Sequence, residues 1–98
     1  MRRLAEKHLE SVYGLLRNLN LVKSQQDFSR HYLGTSDRYY AMLRASGRSP
    51  SAKVLANLAG RLRLLKQDLG ARFLSQHEGA SDQIDQAARD TMHMLVWG

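Results

Sequence analysis

Apolar residues recur at helical spacing along most of the chain. Leu9, Val12, Leu16 and Leu19 stand three or four apart, with Ala5 and Leu15 beside them. That period marks one face of a helix and predicts a first helix over about 3–18, weakened by Gly14 and ended by Asn18 and Asn20. Phe28 and Tyr32 give a second, shorter helix over about 24–32 its inward face. Tyr40 and Leu43 do the same for a third over about 36–45. The longest stripe is Leu55, Leu58, Leu62, Leu65, Leu69 and Phe73, which predicts a fourth helix over about 50–76 or a break near Gly70. Ile84, Ala87, Ala88, Thr91, Met94 and Leu95 complete a fifth over about 81–95, expected to pack back on the first or the fourth.

The residues at the ends of these stretches are helix punctuation. Ser24-Gln25-Gln26-Asp27 resembles a capping box with an acid in the reciprocal place. Gly34 sits where a chain leaving a helix needs a positive φ. Ser36 is an expected N-cap with Asp37 in the first turn, and Ala45-Ser46-Gly47 closes that helix. Ser49-Pro50 reads as an N-cap followed by proline at the first helical position. His77-Glu78-Gly79-Ala80 reads as a turn before an N-cap at Ser81-Asp82. No segment shows strand alternation bounded by turns. The single Pro and the many Leu, Ala, Arg and Gln agree with helix. The expected fold class is all-α, a small five-helix domain spanning 1–98.

Charge changes the picture more than composition does. Of the 15 Lys and Arg in 98 residues, eight fall within residues 30–66 beside one acid, Asp37, whereas residues 67–98 carry two basic residues and five acids. A basic middle is the electrostatic footprint of a polyanion binder. With no Cys there is no disulfide framework and no thiolate metal site, which fits a reducing cytoplasm. The two Arg at the N-terminus are not followed by an apolar h-region, and charges interrupt every apolar run, so neither a signal peptide nor a membrane span is expected.

Two short helices around a Gly turn, followed by a basic loop, make the layout of a helix-turn-helix. The stretch resembles the lambda-repressor-like (Cro/C1-type, XRE) helix-turn-helix family over about 16–65, with 66–98 as a C-terminal helical extension. Gln25, Ser29, Gly34, the pair Tyr40 and Leu43, and Arg48-Ser49-Pro50-Ser51 fill the family's positions. Val54, Leu55, Leu58, Ala59 and Leu62 match its apolar fourth helix. Between Ser29 and Gly34 the chain is one residue longer than the family's spacing. It is also similar to short α-proteobacterial proteins of chromosomes, plasmids and mobile elements through Phe28, Ser29, Tyr32, Leu33, Gly34, Ser36, Arg38, Tyr39 and Tyr40. Some small regulators of conjugative elements in those bacteria are antiactivators, which bind a transcription activator instead of DNA.

The resemblance implies a transcriptional regulator that binds double-stranded DNA through helix 3 as a dimer. Gln25 would then meet a phosphate at the start of helix 2. Thr35, Ser36, Arg38 and Tyr39 would read base edges, with Arg38 suited to a guanine. Arg44, Arg48 and Lys53 would serve phosphates. The second reading is a protein-binding antiactivator or adaptor, with Tyr39, Met42, Val96 and Trp97 as its contact residues. A homodimer is expected to use either the leucine stripe of helix 4 or the C-terminal helix. His8, His31, His77 and His93 fall at no metal-binding spacing, and neither a phosphate loop nor a nucleophile elbow is present. No enzyme activity, cofactor or metal is expected.

Overall fold

The computed structural model describes residues 2–70, 73, 77 and 79–97. Five helices and no strands are formed by them: α1 (Arg2–Asn18), α2 (Gln25–His31), α3 (Tyr39–Ser46), α4 (Ala52–Asp68) and α5 (Ala80–Trp97). The α5 helix packs along α4 and also touches α1, while α2 and α3 pack on each other. The apolar faces read from the sequence line a single core. Leu9, Val12, Leu16, Phe28, Tyr40, Leu43, Leu58, Leu62 and Ile84 are all buried in it. Aromatic rings knit α1, α2 and α3 together. Phe28 lies 5.3 Å from Tyr13 and 5.2 Å from Tyr40, centroid to centroid, and its tilted and edge-on contacts are favoured arrangements for aromatic pairs.

The capping at α2 follows expectation with one shift. Ser24 Oγ accepts from the Asp27 N–H at 3.1 Å, and the Asp27 carboxylate reaches back to the N–H of Lys23, one residue before the cap, at 2.9 Å. The left-handed backbone predicted at Gly34 is present, with φ 67. Gly47 closes α3 in the same conformation, its N–H donating to the Leu43 carbonyl.

The starts of α3, α4 and α5 differ from expectation. Helix α3 begins at Tyr39 instead of Ser36, and no acid lies in its first turn. Ser36 and Asp37 belong to a turn in which the Tyr39 N–H donates to the Ser36 carbonyl at 3.2 Å. Helix α4 begins at Ala52, so Pro50 precedes it. Ser51, not Ser49, is the cap, its Oγ accepting from the Val54 N–H at 3.2 Å. At the other end α4 stops at Asp68, in keeping with a break near Gly70, the second of the two readings, and Leu69 turns to an extended ψ of 127. Residues 71, 72 and 74–76, which the sequence places in the same helix, lie outside the described residues. Helix α5 starts one residue early at Ala80, whose buried methyl anchors the turn that Gly79 enters at φ 80.

The leucine stripe of α4 is turned into this domain. Leu55, Leu58 and Leu62 are buried, and Leu65, Leu69 and Phe73 pack against the core. No described helix is long and apolar enough to cross a membrane.

Candidate nucleic-acid interface

Ser29 organises the junction between α2 and α3. It is fully buried, and its hydroxyl donates to the Gln25 carbonyl at 2.9 Å while accepting from the Tyr40 N–H at 3.0 Å. Tyr40 is the second residue of α3, so its N–H is one of the helix's orphan donors. The residue at the cap position, Arg38, makes no side-chain cap bond. Ser29 therefore caps α3 from the neighbouring helix. Its carbonyl also receives the Thr35 N–H and hydroxyl, both at 3.0 Å. These bonds set the path of the connection from Tyr32 to Arg38, seven residues between the two helices. A helix-turn-helix turn is usually about 3–4 residues.

This path decides where the expected DNA contacts fall. Thr35, Ser36 and Arg38 lie in the connection rather than on the first turn of α3. The Thr35 hydroxyl is spent on the Ser29 and Ser36 carbonyls. Ser36 and Arg38 are exposed, and Tyr39, the first residue of α3, is half-buried against the core. Gln25 opens α2, half-buried, with its carbonyl occupied by Ser29. Arg44 stands 3.7 Å from Glu10 and over the Tyr40 ring at 5.8 Å, which ties it to α1. Arg48 in the α3–α4 loop and Lys53 at the start of α4 are exposed. Among the described residues, the side chains of Arg38, Arg48 and Lys53 meet no acid.

The contact residues of the protein-binding reading lie on two helices, Tyr39 and Met42 on α3 and Val96 on α5. Met42 is 62% exposed on α3 and Val96 69% exposed on α5. The Trp97 side chain lies outside the described residues.

A second basic surface has no counterpart among the expected site residues. Arg30, His31, Gly34, Asn57 and Arg61 line a groove of about 370 Å³ between the end of α2 and the middle of α4. Arg61 reads from the sequence as a solvated flank of helix 4. It is exposed there, and its guanidinium Nε–H donates to the His31 carbonyl at 2.9 Å. The Asn57 amide donates to the Leu33 carbonyl at 3.2 Å. Its nitrogen would lie 2.8 Å from a Cβ on Gly34, so glycine serves both the backbone conformation and the approach of α4. Nothing local in the sequence links residues 30 apart, and the only hint was the excess of Arg over acid in this part of the chain.

Between α1 and α5, His8 Nε2 and Thr91 Oγ1 are 2.7 Å apart. The Thr91 hydroxyl proton is directed to the Ala87 carbonyl at 2.7 Å, so His8 is the donor in this bond. Burial holds the His8 pKa below its ordinary value, against an opposing pull from Asp90. Among the described residues, no three His, Asp or Glu side chains come together as metal ligands would.

With this geometry the chain is a small all-α domain with a basic surface over its second, third and fourth helices. A model of a family of unknown function, DUF6626, matches residues 9–96, and the chain belongs to that family. No curated protein and no solved structure is significantly similar to it.

Proposed function

We propose that this protein is a DNA-binding transcriptional regulator, not an enzyme, that engages duplex DNA through α3 and its two flanking loops. One observation carries the reading. Arg38, Arg48 and Lys53 flank α3 as exposed cations with no acidic partner among the described residues. Exposed cations left unneutralised by the protein release the counterions of a polyanion when they bind it. The resemblance of Gln25, Ser29, Gly34, Tyr40 and Leu43 to lambda-repressor-like regulators supports the same reading. In this mode Arg38 and Ser36 approach the bases from the connection before α3, and Arg48 and Lys53 hold phosphates. A second copy on a two-fold site would supply the interface area that one small domain lacks.

The test is an anisotropy titration with genomic duplex fragments at two salt concentrations. Contacts to about four phosphates give a slope of log affinity against log salt near −3 to −4. Arg48→Ala should weaken binding to all fragments alike and make the slope shallower by about 1. A flat salt dependence would sink the reading.

The exposed Met42 favours a second reading, an antiactivator whose α3 docks on a transcription activator. A flexible apolar side chain displayed to this extent is characteristic of protein-binding surfaces. Retention of an activator but not of DNA, lost in Met42→Glu, would select it.

A further inference from the structure

We propose that the groove between α2 and α4 is a binding site for a phosphoryl group. The site is separate from the α3 surface and does not depend on the DNA-binding reading. Two arginines, Arg30 and Arg61, line it with His31 and Asn57, and no acid is among the lining residues. The nearest acid on α2, Asp27, is already engaged. Its carboxylate receives the Lys23 N–H at 2.9 Å and lies 3.2 Å from His31 Nε2. Neither arginine forms an ion pair with any described residue.

The donors are held in advance of any ligand. Arg61 gives one N–H to the His31 carbonyl, which restrains the guanidinium and leaves its two terminal nitrogens available. Asn57 gives one amide proton to the Leu33 carbonyl and retains a second. Gly34 keeps that amide in place, since any Cβ there would press on it. Like charges drawn into one groove repel each other until an anion arrives. A phosphoryl group answers this arrangement, because its oxygens accept the paired N–H groups of a guanidinium fork and it carries enough charge for two cations. The structure allows two sources, a free phosphate-bearing small molecule and the backbone of a nucleic acid.

The experiment is a titration of the ¹⁵N-labelled full chain with sodium phosphate, at an ionic strength held constant with sodium chloride. Saturable shifts are expected at the Arg61 Nε–H, the Asn57 side-chain amide and the Gly34 amide. Arg30→Gln removes a side chain that makes no hydrogen bond or ion pair with any described residue. It should weaken phosphate binding roughly ten-fold, a loss of about 1.4 kcal/mol, while the melting temperature stays put. Arg38→Gln should leave phosphate binding intact. A short duplex added to the phosphate-saturated protein separates the sources. Displacement at the groove assigns it to backbone phosphate, and persistence of the phosphate shifts assigns it to a free ligand. Shifts that do not saturate, that persist unchanged in Arg30→Gln, or that vanish equally in Arg38→Gln overturn the site.

Discussion

The buried hydroxyl of Ser29 caps the helix that follows its own, accepting from the Tyr40 N–H at 3.0 Å. Together with the Ser29 carbonyl, which receives the Thr35 N–H and hydroxyl, it ties the start of α3 and the connection before it to α2. Ser29→Ala would leave that N–H buried and unpaired. A cost of about 1–3 kcal/mol is expected, against ~1 kcal/mol for the partly buried cap Ser24→Ala. Urea denaturation of both variants compares them directly, and equal losses would show that the inter-helix bond adds nothing.

Gly34 and Gly47 share a left-handed backbone, φ 67 and 68, but not surroundings. A Cβ at Gly47 meets nothing, whereas one at Gly34 meets the Asn57 amide at 2.8 Å. Gly47→Ala should cost only the conformational strain, about 1–2 kcal/mol. Gly34→Ala should cost more. Asn57→Ala introduced beside it should recover part of the excess, a coupling that a double-mutant cycle measures.

Because burial lowers the His8 pKa, the unfolded chain binds more protons than the folded one just below pH 6.5. Stability is therefore undiminished above about pH 6.5 and declines as pH falls from there through the lowered folded value. His8→Gln should flatten this part of the profile. Melting temperatures at pH 7.5 and 5.5 for both proteins supply the check, and an unchanged difference between the two pH values would exclude His8 as its source.

The buried Tyr40 hydroxyl has no hydrogen-bond partner among the described residues. Burial pushes its pKa up to about 12, with Arg44 pulling down and Glu10, Tyr13 and Glu6 pushing further up. Tyr40→Phe removes an unpaired polar atom and keeps the ring contacts, so at neutral pH it should be neutral or stabilising. The raised value also predicts a loss of stability as pH rises from about 10 to 12, where the unfolded tyrosine ionises first. Circular dichroism melts across that range should show a smaller loss in Tyr40→Phe.

Much of the fold was legible along the chain. The apolar faces of Leu9, Val12 and Leu16, of Leu58 and Leu62, and of Ile84 are buried as their spacing predicts. The cap at Ser24, the left-handed Gly34 and the closure of α3 at Gly47 were legible for the same reason, since each acts within one turn of chain. The expected cap at Ser36 failed because a competing acceptor, the Ser29 hydroxyl of another helix, took its place. Pro50 missed the first helical position because the next residue, Ser51, could cap as well as Ser49. Beyond the excess of Arg over acid in this part of the chain, the groove was not legible, for Arg30 and Arg61 belong to different helices.

From the sequence alone came the helical class, the faces that form the core and the concentration of positive charge in the middle of the chain. Those properties follow from local periodicity, local capping chemistry and summed charge. Tertiary structure decided where α3 begins, that the leucine stripe of α4 is spent within the domain, and which cations share a surface. The reason is geometric. A helix repeats its side chains every 3.6 residues, but the bond from Arg61 to the carbonyl of His31, 30 residues away, exists only because α4 lies across the end of α2.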